Sequence, residues 1–144
     1  MVRFGALISG GGTNLQAVID AIAAGTLDAQ VPIVVSSRPD AYGIERARAA
    51  GIETLVLSRE AYADPHAADA RIVEALQRAG CDYVVMAGYM RKVTDAILDA
   101  FPDRVVNLHP ALLPAFKGAH AIQDAFDAGV KVTGVTVHFA NAEY

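Results

Sequence analysis

Short apolar runs alternate along this chain with segments in which apolar residues recur every three or four positions. The first run, Val2–Ile8, ends in glycines and predicts a strand. Leu15, Val18, Ile19 and Ile22 then follow at helical spacing and predict a helix over residues 14–24. The same alternation continues and predicts strands at 31–35, 54–57, 83–87, 104–108 and 131–139, and helices at 41–50, 65–79, 94–101 and 120–128.

Strands rich in Val and Ile that alternate with amphipathic helices are typical of a mostly parallel sheet with helices on both faces. The sequence therefore predicts a doubly wound, Rossmann-like α/β fold. We find no repeat or linker inside residues 1–144 and expect a single domain. Ligands of such folds bind beyond the carboxyl ends of the strands. The residues just after Ile8, Ala87 and Leu108 are therefore where chemistry is expected.

Composition narrows the class of protein further. The chain is 53% hydrophobic and 19% charged, which predicts a large core. No apolar run approaches the roughly 20 residues that cross a bilayer, and residues 1–8 lack signal-peptide features, so we expect a cytoplasmic protein without a membrane partner. The single cysteine, Cys81, excludes an intrachain disulfide and is expected to pack in the core. A net charge of −4 argues against a nucleic-acid partner.

A glycine-rich loop at residues 9–14, with the sequence Ser-Gly-Gly-Gly-Thr-Asn, joins the first strand to the first helix. Its unhindered amides at a positive helix end suit a phosphate. The dinucleotide fingerprint is incomplete, because Leu15 stands at the third glycine position and no acidic residue ends the second strand. Ser36, Ser37 and Arg38 at that strand end could instead hold a 2′-phosphate, so NADP stays an alternative. A tight turn that merely requires glycine is the structural alternative.

The stretch at 104–118 is the most distinctive in the chain. Asn107 and His109 alternate along one strand, so both side chains are predicted to project from the same face near its carboxyl end. Pro110 and Pro114 then restrict the loop that follows. A carboxamide beside an imidazole suits acyl or formyl transfer, because the amide can stabilise an oxyanion while the imidazole moves protons. An Asn that caps a turn and a His satisfied in the core are the alternative.

This segment, Asn-Leu-His-Pro-Ala-Leu-Leu-Pro-Ala-Phe-Lys-Gly, resembles the hallmark of the folate-dependent formyltransferase superfamily, Asn-x-His-Pro-[Ser/Ala]-x-Leu-Pro followed by an aromatic residue and a glycine. The glycine loop resembles that of the branch that formylates phosphoribosylglycinamide. It is less similar to the loop of members that act on methionyl-tRNA or hydrolyse formyltetrahydrofolate. Residues 41–47 and 87–91 also resemble family segments. The resemblance therefore extends over essentially the whole chain.

The resemblance implies transfer of a formyl group from 10-formyltetrahydrofolate to the amine of phosphoribosylglycinamide in purine (IMP) biosynthesis, by a monomer or homodimer, with small-molecule partners and no metal. It implies that Asn107 binds the formyl oxygen and that His109 moves protons. Carried over by position, the phosphate would be held by Gly12, Thr13 and Asn14, and the folate pocket would be formed by Met90, Arg91, Lys92, Val93 and Asn107. Lys92 departs from the aliphatic residue usual there. A related folate-dependent hydrolase or transferase, or a noncatalytic nucleotide-binding module, are the alternatives.

Members of this superfamily also carry an Asp that governs the catalytic histidine, shortly after the strand that contains His138. Alignment of residues 137–144 places that Asp one position beyond Tyr144. The resemblance therefore predicts that residues 1–144 are an incomplete N-terminal catalytic domain that lacks the fold's C-terminal elements and is poorly active alone. Glu143 is an out-of-register substitute. Of the other histidines, we expect His120 and His138 to have structural roles and His66 to lie on the surface.

Overall fold

The computed structural model describes residues 1–141. A seven-stranded sheet lies at the centre, in the order β4-β3-β1-β5-β6-β7, with the short β2 paired to the start of β1. Its strands are β1 Val2–Ile8, β2 Ala29–Gln30, β3 Ile33–Ser36, β4 Glu53–Val56, β5 Tyr83–Met86, β6 Val105–His109 and β7 Thr136–Phe139. The helices are α1 Thr13–Ala23, α2 Gly43–Ala49, α3 Pro65–Arg78, α4 Asp95–Ala100 and α5 Ala121–Asp127, with a short 3₁₀ helix at Ala61–Ala63.

The predicted α/β architecture is confirmed; most element bounds shift by one or two residues, and the main departures are at two strands. The predicted strand at 31–35 begins two residues later, at Ile33, and β2 precedes it. Pro32 separates the two because it has no amide hydrogen for a sheet ladder. The last strand is shorter than predicted, Thr136–Phe139 in place of 131–139, and it pairs antiparallel to β6, whereas the other pairings in the sheet are parallel.

The core consists of two apolar clusters, one on each face of the sheet. Leu7 of β1 belongs to the cluster that contains Ile72 of α3, whereas Ile8 belongs to the cluster that contains Leu15 of α1. Neighbouring residues of β1 thus serve opposite faces, as the alternation of side chains along a strand requires. Helices therefore cover both faces, and the carboxyl ends of the strands are left as the accessible edge. None of the helices that the structure describes has the length and apolar character of a bilayer crossing.

Helix α3 begins with a side-chain cap. Asp64 has extended backbone angles, and its carboxylate accepts a hydrogen bond from the Ala67 amide at 3.1 Å, with Pro65 at the first helical position. We expect Asp64→Ala to lower the free energy of unfolding by about 1 kcal/mol, since an uncapped amide loses its partner. Asp64→Asn keeps an acceptor and serves as the control in urea denaturation. Equal stability of Asp64→Ala and the wild type would contradict the assignment of the cap.

Cys81 packs against the core cluster beneath α3, which agrees with its predicted packing role. Burial raises the pKa of the Cys81 thiol to about 11. A raised thiol pKa means that folding favours the protonated form, so its contribution to stability is present below about pH 9 and is lost as the pH rises through about 11. At about pH 8 we expect iodoacetamide to alkylate the native protein roughly a hundredfold more slowly than the unfolded chain. Equal rates would contradict this environment.

Candidate active site

Three loops meet at the carboxyl edge of the sheet, as predicted from the strand ends after Ile8, Ala87 and Leu108. The strands that carry these loops, β1, β5 and β6, are neighbours in the sheet. Buried Ser9 links two of the loops, because its hydroxyl accepts a hydrogen bond from the Met90 amide at 2.8 Å and lies 2.5 Å from the Ser37 hydroxyl. The glycine loop is therefore fixed relative to the loop after β5.

A cleft of about 590 Å³ opens between these loops. Asn107 and His109 of β6 both line it, so the structure brings these two residues together at one cleft. Asn14 of the glycine loop lines it as well, whereas Gly12 and Thr13, within the part of the loop that the structure describes, do not. Its other lining includes Gly88, Tyr89, Met90, Arg91, Lys92, Val93, Lys117, Gly118, Val135 and Asn141.

Asn107 contacts His138, for which only a structural role was predicted. The two residues face each other in the antiparallel β6–β7 pair, and Asn107 Nδ2 lies 3.3 Å from His138 Nε2. His138 Nδ1 lies 3.1 Å from the Phe139 carbonyl, which can only accept, so Nδ1 carries the hydrogen and Nε2 accepts from Asn107. The carboxamide is therefore oriented by a contact between strands.

His109 is oriented by the loop that follows it. Its Nε2 lies 2.6 Å from the Phe116 carbonyl. Because a carbonyl oxygen only accepts, Nε2 donates this hydrogen bond and Nδ1 is the ring nitrogen that can exchange a proton. Phe116 has a φ of 51°, in the left-handed region that non-glycine residues rarely adopt. Thr136 of β7 anchors the same loop, accepting from the Leu113 amide at 3.0 Å and donating to the Ala111 carbonyl at 2.6 Å.

The loop at residues 88–94 is braced from behind by the segment that leads into α3. The hydroxyls of Tyr62 and Tyr89 lie 2.7 Å apart, and Arg91 stacks over the Tyr62 ring at 4.2 Å. The Thr94 amide donates to the buried carboxylate of Asp69 at 2.7 Å. Burial raises the pKa of both phenols, so each remains protonated and able to hydrogen-bond. Contacts with Tyr62 and Asp69 therefore hold this wall of the cleft in place.

The glycine loop leads into helix α1 without a side-chain cap. Gly12 adopts a φ of 72° as the N-cap of α1, with no side-chain cap bond, and α1 has no acidic residue in its first turn. A Cβ at Gly12 would lie 2.7 Å from the Gly43 backbone, so only glycine fits there. The positive end of α1 is thus left uncompensated by side chains of its first turn.

The alternative of an NADP site is not supported. Ser36 and Ser37 are buried, with Ser36 donating to the Arg38 carbonyl at 2.7 Å and Ser37 bonded to Ser9. Arg38 forms a two-point ion pair with Asp40 at 3.0 and 3.1 Å. The polar side chains that would hold a 2′-phosphate are therefore already paired within the protein.

His66 and His120 are not among the residues that line the cleft. His66 is exposed, as predicted, and His120 is exposed at the start of α5 without a side-chain capping bond. Glu143 lies outside the described residues. Within residues 1–141, no group of three or more His, Cys, Asp or Glu side chains is placed to hold a metal ion.

Comparison with known proteins agrees with this geometry. Residues 2–144 match the Formyl transferase family. The phosphoribosylglycinamide formyltransferase of Haemophilus influenzae is 40% identical to the chain, over 99% of this chain and 68% of its own length. That of Bacillus subtilis is 37% identical, over 98% of this chain and 72% of its own length. A crystal structure of glycinamide ribonucleotide transformylase 1 from Symbiobacterium toebii superposes with a TM-score of 0.95 at 51% identity, over 99% of this chain and 67% of that one. The chain therefore belongs to the formyl transferase family and, within it, to the phosphoribosylglycinamide formyltransferases.

Proposed function

We propose that this protein transfers a formyl group from 10-formyltetrahydrofolate to the amine of 5′-phosphoribosylglycinamide, in cytoplasmic de novo purine biosynthesis. One observation carries the proposal: Asn107 and His109 share a cleft with Asn14 of the glycine loop and with the loop after β5. A phosphorylated amine and a formyl donor could therefore meet beside a carboxamide and an imidazole. The family and the relatives named above support the same reaction.

The phosphate end of the ribotide is assigned to Gly12, Thr13 and Asn14. These residues form the first turn of α1 and its N-cap, where backbone amides have no partner within the helix. The helix dipole favours an anion at that end. From there the ribose and glycinamide extend along the cleft that Asn14 lines, toward β6.

The formyl donor is assigned to the wall formed by Met90, Arg91, Lys92 and Val93, with Asn107 at its end. These residues suit a folate, because the apolar side chains of Met90 and Val93 can contact a flat ring while loop amides and carbonyls bind its polar edge. The Lys92 side chain is exposed. A lysine is compatible with this wall if the loop contacts the folate through its main chain.

The reaction forms a bond between the ribotide amine and the formyl carbon and breaks the bond from that carbon to the folate nitrogen N10. One proton leaves the amine and one arrives on N10, so no oxidant or further reactant is needed. Negative charge collects on the formyl oxygen while the new bond forms. The protein must therefore stabilise that oxygen and relay a proton.

Asn107 and His109 supply these two functions. An amide nitrogen has two hydrogens, so Asn107 can donate one to His138 and the other to the formyl oxygen. His109, when protonated, keeps its Nε2 bond to the Phe116 carbonyl and presents an Nδ1 hydrogen to the cleft. It then passes that proton to N10 and receives one from the amine, directly or through water.

Product analysis with and without each substrate tests the proposal. Mass spectrometry is expected to find formylated ribotide, in equal amount to tetrahydrofolate, only when both substrates are present. Glycinamide riboside, which lacks the phosphate, is the matched control and is expected to react poorly. Formate release without ribotide would indicate a hydrolase, and absence of both reactions would exclude the proposed transfer.

The expectation that residues 1–144 form an incomplete catalytic domain with low turnover stays a prediction. A polypeptide of 144 residues, with its mass and folding verified by mass spectrometry and circular dichroism, is expected to have a far lower kcat than the Haemophilus influenzae relative under the same conditions. Turnover comparable with that relative would contradict it. Substitutions in the candidate site are to be measured in the protein as it occurs naturally.

A further inference from the structure

Helix α2 packs directly against the glycine loop and binds two of its carbonyl groups. The Gly43 amide donates to the Gly10 carbonyl at 3.0 Å, and the Arg46 Nε donates to the Gly11 carbonyl at 2.7 Å. The approach is close, because a Cβ at Gly43 would lie 3.3 Å from the Gly12 Cα. Arg46 therefore reaches the loop from a helix that lies 35 residues away in sequence.

Arg46 is itself held in place on two further sides. Its Nη1 donates to the Gln16 side chain of α1 at 3.4 Å, and Gln16 in turn donates to Asp20 at 2.9 Å. The guanidinium also lies 4.9 Å from the centre of the Tyr42 ring. A guanidinium fixed by several partners is a rigid donor, which suits it to hold one backbone carbonyl in one direction.

The direction of those carbonyls sets the direction of the next amides. The peptide bonds of this loop are trans, and in a planar trans peptide the carbonyl and the following N–H point in opposite directions. Because the Gly10 and Gly11 carbonyls point toward α2, the amides of Gly11 and Gly12 point away from it. Consecutive amides that point to the same side of a loop can form a concave site for an anion.

We infer that Arg46 is a positioning residue that keeps the Gly12 amide turned toward the substrate phosphate, an inference that rests on the proposed function. Glycine adopts many backbone conformations, so the Gly11–Gly12 peptide can rotate once its carbonyl loses the guanidinium. Rotation would turn a carbonyl oxygen toward the phosphate in place of an N–H. Arg46 thus acts on ribotide binding through the loop, at a distance from the formyl-transfer step.

The test compares Arg46→Met with Arg48→Met. Arg48 is the matched control, since it lies on the same helix, is exposed and pairs only with Glu45, at 3.1 Å, among the ion pairs of the described region. Arg46→Met is expected to raise KM for the ribotide about tenfold or more, with kcat and KM for the formyl donor changed less than about twofold. Arg46→Lys keeps a cationic donor, so its KM for the ribotide is expected to lie between those of the wild type and Arg46→Met.

A second readout observes the loop itself. Inorganic phosphate is titrated into ¹⁵N-labelled protein while the Gly12 amide signal is followed, and Arg46→Met is expected to weaken phosphate binding about tenfold while Arg48→Met does not. Circular dichroism checks folding, and if Arg46→Met is unfolded the same comparison is made with Arg46→Gln and Arg46→Lys.

The outcomes separate the inference from the proposed function. If Arg46 and Arg48 variants have the same ribotide KM and phosphate affinity, the inference is wrong even when the wild type binds ribotide at the loop. An equal loss of kcat and of affinity for both substrates would show a structural role and would also overturn it. If wild-type protein neither uses the ribotide nor shifts the Gly12 signal with phosphate, the proposed function fails first.

Discussion

Replacement of Asn107 by alanine is expected to lower kcat by a hundredfold or more in a folded protein. The variant removes the Nδ2 hydrogen that we assign to the formyl oxygen, and loss of one oxyanion donor costs on the order of 3 kcal/mol in the transition state. KM for the ribotide should change little, because we assign its phosphate to the other end of the cleft. Steady-state kinetics with both substrates at saturation measures the effect.

Asn14→Ala is the matched control for Asn107→Ala, because it removes the same carboxamide from the glycine-loop end of the same cleft. Its effect should fall on KM for the ribotide and leave kcat near that of the wild type. A loss of less than about tenfold in kcat for Asn107→Ala, with folding intact, would contradict the proposed role of Asn107.

Replacement of His109 by glutamine is expected to lower kcat by about a hundredfold to ten-thousandfold, the usual range for loss of a general acid or base. Glutamine has a similar reach and retains an N–H for the Phe116 carbonyl, but it cannot carry a proton between the two nitrogens. Substrate binding should therefore survive. Single-turnover formyl transfer isolates this step from product release.

The control for His109→Gln is His66→Gln, the same substitution at an exposed histidine on α3. We expect its kinetics to match those of the wild type. The double variant Asn107→Ala, His109→Gln should lose less than the product of the two single losses, since both side chains act on one transition state. Full additivity, or more than a tenth of wild-type kcat in His109→Gln, would contradict a shared site.

The parallel part of the fold was predictable because each strand and helix has a hydrophobic pattern within its own residues. The run Val2–Ile8 and the helical spacing that begins at Leu15 depend on residues close in sequence. The direction of β7 cannot be predicted from its local pattern, because side chains alternate with period two in parallel and antiparallel strands alike. The position of Ala29–Gln30 beside β1 also depends on a partner distant in sequence and carries no pattern of its own.

The same distinction divides the site. Asn107 and His109 could be paired from sequence because they lie on one strand, two residues apart. The bond from Asn107 to His138 could not, since it depends on the register of two antiparallel strands. A polar His138 within an apolar final strand was the available signal. The reach of Arg46 to the glycine loop likewise depends on how α2 packs, which residue spacing alone does not define.

The most direct test of the central claim is a crystal structure of the full-length protein with the ribotide and an unreactive analogue of the formyl donor. We predict the phosphate on the amides of Gly12, Thr13 and Asn14, with the ribotide amine between Asn107 and His109 and facing the carbon that stands for the formyl group. A phosphate bound elsewhere, or ligands that contact neither Asn107 nor His109, would contradict the account.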